Sequence, residues 1–195
     1  MMRIVGGEWR GRAIGSPRGR EVSRPTTDRV REAMSSMVDS ALADGIEGAR
    51  VLDAFGGTGA LGIEMLSRGA AFCAFFDIDR GAAALIRRNL GALGCDRARY
   101  RVTAGDAVQA ARRGRIAGAP FDLVLMDPPY ALGTAPAEAL LRALAEGDLL
   151  AEGAIALFER SADTSALTAA GFGGLRAKRY GITCVDLLRR DTESL

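Results

Sequence analysis

Two short stretches some 70 residues apart hold the side chains most able to do chemistry. They are Val51-Leu52-Asp53-Ala54-Phe55-Gly56-Gly57-Thr58-Gly59-Ala60-Leu61-Gly62, and Asp127-Pro128-Pro129-Tyr130 after the apolar run Phe121 to Met126. The first reads as a strand that stops at Asp53, turns through Phe55, Gly56, Gly57, Thr58 and Gly59, and opens a helix. That geometry points backbone N–H groups and a helix start at a ligand beyond the strand's carboxyl end. Four glycines within seven residues argue against a turn that serves the fold alone. Asp77 follows Gly57 by 20 residues at the next strand end, where an acid can take the hydroxyls of a ribose. Ile78 beside it belongs to the same cofactor wall, and Asp79 is placed to cap the following helix. Asp106, with Ala107, stands in the matching position after the third strand, where an acid can accept from an adenine amino group or cap a helix.

The glycine pattern alone also fits a nicotinamide dehydrogenase. Asp-Pro-Pro-Tyr does not, because it serves a different reaction: methyl transfer to a planar amino nitrogen. Such a nitrogen is a poor nucleophile, its lone pair being delocalised into the ring. Acceptors aimed at its two hydrogens, here the Asp127 carboxylate and the Pro128 carbonyl, favour pyramidalisation and stabilise the charge that develops as the methyl arrives. Prolines fix φ and hold that carbonyl still. Tyr130 can stack on a base drawn out of its surroundings. With S-adenosylmethionine as donor no strong base is needed, since the product ammonium loses its proton readily to Asp127 or water.

Composition narrows the field. The 195 residues contain no histidine, which excludes a Ser-His triad, a histidine base and the common zinc constellations; no metal is expected. Cys73, Cys95 and Cys184 lack CxxC spacing and sit in apolar stretches, as buried free thiols do. No run of eighteen apolar residues and no signal peptide occurs, so a cytoplasmic protein that does not span a membrane is expected. The net charge of +2 is unevenly spread: residues 1 to 31 carry eight arginines against Glu8, Glu21 and Asp28, a local balance of +5. Only Lys178 among 26 basic residues is lysine, so the clustering, more than arginine content, is what suggests nucleic acid.

One α/β domain with a small appendage is expected. The spacing predicts an amino-terminal hairpin (Arg3 to Val5, a turn at Gly6-Gly7, then Trp9 to Ile14) and a helix from Pro25-Thr26-Thr27-Asp28 to near Gly45. Strands at 49–54, 71–76, 98–103 and 121–126 alternate with helices at 59–68, 80–93, from 106, and at 135–145, the mark of a parallel sheet with helices on both faces. A strand at 153–158, a helix at 164–170, and strands 174–180 and 182–188 joined at Gly181 complete the chain. The last two form an antiparallel hairpin. Residues 1–24 form a basic, RNA-binding extension and 25–195 the catalytic domain. Trp9 stands among arginines and either packs the hairpin or touches RNA.

The segments Met2 to Arg12, Arg24-Pro25-Thr26-Thr27-Asp28-Arg29-Val30-Arg31-Glu32, Leu61-Gly62-Ile63-Glu64, Leu66 to Ala70 and Asp127-Pro128-Pro129-Tyr130 resemble the bacterial 16S ribosomal RNA guanine-N2 methyltransferase family of the D type. The resemblance covers nearly the whole chain. It implies a Rossmann-like class I methyltransferase with a seven-stranded, mostly parallel sheet. It further implies S-adenosylmethionine as cofactor and N2 of one loop guanine of 16S rRNA as target, on 30S particles or an assembly intermediate. The enzyme is expected to be a monomer. Its catalytic residues would be Asp127, Pro128 and Tyr130. Asp53, Phe55, Gly56, Gly57, Thr58, Gly59, Asp77, Ile78, Asp106, Ala107 and Asp127 would hold the cofactor, and Arg3, Trp9, Arg10, Arg12, Arg24 and Arg29 the RNA. Gly57 and Thr58 stand where the family usually has Ala and Ser, and Asp77 where Glu is usual. An N6-adenine methyltransferase would share Asp-Pro-Pro-Tyr, but DNA enzymes of that kind carry a target-recognition domain for which this chain has no room. A non-catalytic assembly factor would keep the basic end and lose the site.

Overall fold

The alternation of strand and helix builds a sheet whose central strands are apolar on both faces, as parallel strands covered by helices must be. The computed structural model describes residues 2–16 and 27–191. In chain order these form β1 (Met2–Arg3), β2 (Ala13–Ile14), α1 (Asp28–Ala41), β3 (Arg50–Asp53), α2 (Ala60–Ser67), β4 (Phe72–Asp77) and α3 (Arg80–Leu93). There follow β5 (Tyr100–Ala104), α4 (Ala107–Arg112), β6 (Phe121–Met126), α5 (Ala135–Glu146), β7 (Leu150–Ser161), β8 (Phe172–Tyr180) and β9 (Thr183–Arg190). The seven-stranded sheet has the order β5-β4-β3-β6-β7-β9-β8, and β1 and β2 pair separately. The first five strands are parallel; β9 runs antiparallel to them and forms an antiparallel hairpin with β8, which thereby returns to their direction.

Alternate residues of each strand feed two cores. Val51, Phe75, Leu123 and Leu157 face α1, α2 and α3, while Leu52, Phe76, Val124 and Phe158 face α4 and α5. From β3 the chain crosses to β4 and β5 on one side and returns to β6 on the other. The carboxyl ends of β3 and β6 therefore flank a topological switch point, the crevice where such sheets bind ligands. Both sequence motifs lie there: Asp53 is in register with Leu125, two residues before Asp127.

The amino-terminal segment is docked onto this frame. Ile4, Trp9 and Ile14 are buried in the same core as α1, α2 and α3. The fully buried Glu64 of α2 accepts from Val5 N–H at 2.9 Å and Gly6 N–H at 2.7 Å, and from Arg68 at 2.9 Å. A buried carboxylate is tolerated because both of its oxygens are bonded and one donor is a guanidinium. Gly7 is obligatory here: its φ is +72° and a β-carbon would collide with the Ser67 carbonyl. The hairpin is shorter than the sequence suggested, with two paired residues on each side, because residues 4–12 form a loop moulded onto α2.

Two further expectations are corrected. The helix from Asp28 ends at Ala41, not near Gly45, Leu42 already being extended. No helix forms over 164–170. Buried Arg160 donates to the Thr164 carbonyl and Asp186 accepts from Leu167 N–H at 2.9 Å, so side chains replace the bonds a helix would supply. No helix among the described residues is long and apolar enough to cross a membrane.

Candidate active site

The glycine turn is shaped by the acid that precedes it. Asp53, 3% exposed at the end of β3, accepts from Gly62 N–H at 3.1 Å through Oδ2. A β-carbon on Gly62 would strike the Phe75 ring and lie 2.9 Å from that oxygen, so only glycine lets α2 approach β3 and β4 this closely. Gly57 N–H donates to Asp77 Oδ2 at 2.8 Å, Asp79 N–H donates to Asp77 Oδ1 at 2.8 Å, and Gly105 N–H donates to the Asp77 carbonyl at 2.8 Å. Asp77 thus stitches together the turns after β3, β4 and β5. Gly56 N–H donates to the Phe76 carbonyl, Gly59 opens α2 in the left-handed region, and Phe55 is half-buried at the turn. Thr58 Oγ1 accepts from Ala60 N–H at 3.3 Å.

Ile78, next to Asp77, is 80% exposed, a large apolar side chain at the strand end. Asp79 caps α3 through Gly81 N–H, as expected. Asp106 caps α4 through Val108 N–H at 2.7 Å and Gln109 N–H at 3.3 Å, both on Oδ1, and Ala107 is the buried first residue of α4.

Across the switch point, Asp127 is half-buried after β6, Pro128 is buried, and Tyr130 begins a 3-10 turn with 37% of its surface exposed. The Tyr130 hydroxyl donates to Glu159 Oε1 at 3.0 Å and lies 2.9 Å from Thr183 Oγ1 of β9. Glu159 is 4% exposed and follows Phe158, which pairs with Met126, so it stands level with Asp127 on the neighbouring strand. β7 runs on to Ser161, and a strand ending at 158, as the sequence suggests, leaves Glu159 out. Its signal was there in kind: an acid closing an apolar strand, as at Asp53, Asp77 and Asp127.

Three carboxyls now share one end of the sheet. Burial, then the charges of Glu159 and Asp53, push the Asp127 carboxyl well above the usual carboxylate range. Burial is the main cause that raises Asp53 to about 7, opposed by Gly62 N–H and reinforced by the charge of Asp77. Burial also raises the Tyr130 phenol to about 12. Such a cluster is relieved by a cationic ligand. Since the Asp53 carboxyl titrates at about 7 in the fold and near 3.8 when unfolded, it binds more protons folded than unfolded between those values. Its contribution to stability is complete below pH 3.8, falls as pH rises through about 7, and is constant beyond. Relative to Asp53→Asn, the wild-type protein should lose stability to urea steadily from about pH 4 to 7; parallel pH profiles of the two would disprove this.

The basic residues separate into groups. Arg10 and Arg29 are exposed, and Arg3, 64% exposed, pairs with Asp28 at 2.6 Å. Trp9 is corrected: at 4% exposure, with Arg99 5.8 Å over its ring, it packs the segment and has no face for a base. Arg12 is exposed but anchored. Its guanidinium donates to the Leu93 carbonyl at 2.8 Å and the Ala92 carbonyl at 2.6 Å, closing the carboxyl end of α3. Arg24 lies outside the described residues. Among those described, no group of three or more acids or thiols could hold a metal ion.

Comparison with known proteins agrees with this geometry. Residues 2–189 match the family model described as Conserved hypothetical protein 95. The ribosomal RNA small subunit methyltransferase D of Escherichia coli strain K12 is 33% identical over 98% of this chain and 91% of its own. The Haemophilus influenzae protein of the same name is 31% identical over 93% of this chain and 90% of its own. The solved structure of the Escherichia coli protein yhhF superposes with a TM-score of 0.81 at 30% identity, covering 98% of this chain and 99% of that one. A fold with the glycine turn and Asp-Pro-Pro-Tyr on either side of one switch point, and relatives of this similarity over nearly the full length, place the chain in the Conserved hypothetical protein 95 family, together with the small-subunit ribosomal RNA methyltransferase D proteins.

Proposed function

We propose that the chain transfers a methyl group from S-adenosylmethionine to the exocyclic N2 of a guanine in 16S rRNA, within the 30S subunit or a precursor of it. The observation that carries this reading is the placement of Asp127 and Pro128 at the end of β6, beside Asp53 and Glu159, with the partly exposed Tyr130 bonded to Glu159. The cofactor supplies a methyl group already activated on a cationic sulfur. The residues present fit such a group: Asp77 for ribose hydroxyls, Ile78 and Ala107 for the two faces of adenine, Asp106 for its amino group, and the Asp53 to Gly59 turn with the buried carboxylates for the charged end. Asp127 and the Pro128 carbonyl accept the two N2 hydrogens and orient the lone pair toward the methyl. The N–C bond would form as the sulfur–methyl bond breaks and leaves a neutral thioether; the nitrogen would then carry the positive charge, and its surplus proton would leave to Asp127 or water. Tyr130 gives the base a surface to stack on.

Incubating 30S particles that lack the modification with labelled cofactor, then digesting to nucleosides for mass spectrometry, should yield labelled N2-methylguanosine. Faster labelling of adenosine or of duplex DNA would overturn the assignment.

Residues 1–24 serve in this reading as the RNA-binding arm of a domain spanning 25–195. Arg10 and Arg29 bind phosphate, since their guanidiniums are exposed and nothing directs them at base edges. Arg10→Ala and Arg29→Ala should each flatten the slope of log affinity against log salt by about 0.7 to 0.9. Arg12→Ala should instead lower stability and leave the slope alone. A flattened slope for Arg12→Ala with Arg10→Ala unchanged would reverse the assignment.

A further inference from the structure

The edge strand β8 is built unlike the rest of the sheet. From Gly173 to Arg179 every residue is exposed, although the strand pairs with β9 along its inner side at every residue but the bulged Leu175. Arg176, Lys178 and Tyr180 lie opposite Leu187, Val185 and Thr183 and so share one face. Lys178 Nζ sits 5.3 Å over the Tyr180 ring. Neither Arg176 nor Lys178 forms an ion pair among the described residues, and β8 itself carries no acid. The row leads to the active site. Tyr180 pairs with Thr183, whose hydroxyl touches Tyr130. Going away from that point, Lys178 is one two-residue step of roughly 7 Å along the strand and Arg176 the next, comparable with the spacing of successive phosphates in an extended nucleic-acid strand. The outer edge of β8 adds backbone N–H groups that no strand among the described residues takes up.

We propose that β8 is a second RNA surface, on which Arg176 and Lys178 bind consecutive phosphates next to the nucleotide held at Tyr130. It rests on the reading of the substrate as RNA and adds to the amino-terminal arm a contact on the far side of the site. A row of charges on an edge strand also guards against strand addition, and the experiment separates the two roles. In Arg176→Gln/Lys178→Gln the slope of log affinity for 30S particles against log salt should flatten by about 1.4 to 1.8, the value for two phosphates. KM for the particle should rise several-fold, with kcat at saturation and cofactor affinity unchanged. Arg176→Glu/Lys178→Glu keeps the edge charged, so it should elute with the wild type in gel filtration, yet it should bind RNA more weakly still. The charge-matched Arg112→Glu/Arg113→Glu, at the end of α4 on the other side of the sheet, should bind nearly as wild type. Equal losses in the β8 and α4 reversals, or an unchanged salt slope in the glutamine variant, would overturn the proposal. If instead the wild-type protein bound RNA without any salt dependence, the reading of the substrate would fail first.

Discussion

Asp127→Ala should lower kcat by about 10²-fold or more, a loss near 2.7 kcal/mol of transition-state stabilisation, with cofactor and 30S affinities little changed. The ground-state amino group of guanine needs little from the protein, because its lone pair is spread into the ring and its hydrogens are satisfied by water. The demand arises as the nitrogen becomes tetrahedral and cationic, and an acceptor held level with it then acts most strongly. Asp127 is so held, at the end of a buried strand, followed by two prolines and flanked by Asp53 and Glu159. An effect confined to kcat is the signature of an interaction made in the transition state; a rise in KM with kcat intact would assign Asp127 to binding alone. Because burial and its acidic neighbours raise its carboxyl, activity should also climb with pH through the titration of Asp127. Asp127→Asn, which keeps one acceptor and cannot ionise, should retain partial activity with a flatter acid limb. A limb as steep in Asp127→Asn would place the titrating group elsewhere.

Tyr130 is the instructive neighbour. Its ring is available for stacking, as the motif suggested, but its hydroxyl is committed to Glu159 and Thr183. Loss of that hydroxyl removes a donor from a buried carboxylate, so Tyr130→Phe is not the silent change that stacking alone would imply.

The parts of the site legible in the sequence are those that local chain geometry determines. Asp53, Asp77 and Asp127 each end an apolar run at a turn, and the glycines declare a backbone that approaches a ligand. What tertiary contact decides was not legible. Glu159 acquires its role from the register of β7 against β6, across an irregularity near Phe121 that no local pattern announces. Trp9 and Arg12 sit among arginines, yet one is buried under Arg99 and the other seals a helix some 80 residues away. The exposure of β8 on both faces follows from its place at the edge, which only the sheet order reveals.

The same distinction explains the segment after β7. Residues 164–170 have helical spacing, yet the chain there is irregular because Arg160 and Asp186 claim its polar groups. Arg160 and Asp186, 8% and 4% exposed, meet in a forked pair, Nε to Oδ2 at 2.7 Å and Nη2 to Oδ1 at 3.0 Å. Nη1 of Arg160 bonds backbone carbonyls of the following loop, and Asp186 Oδ2 also accepts Leu167 N–H. A buried pair of this kind adds little over a well-packed apolar substitute, but removing one partner strands the other. Asp186→Ala leaves a guanidinium and an N–H buried without their acceptor, so it should reduce unfolding free energy by about 3 to 5 kcal/mol. Asp186→Asn, which keeps acceptor and shape but not the charge, should cost less. Arg160→Met/Asp186→Leu removes both charges and should recover much of the loss. Since Arg160 adjoins Glu159, the single variant should also loosen the support of Tyr130 and lower kcat at temperatures where it is still folded. Urea unfolding is the measure: a loss below about 1 kcal/mol for Asp186→Ala would mean that water reaches Arg160, and that the loop is held by packing of Leu167 instead.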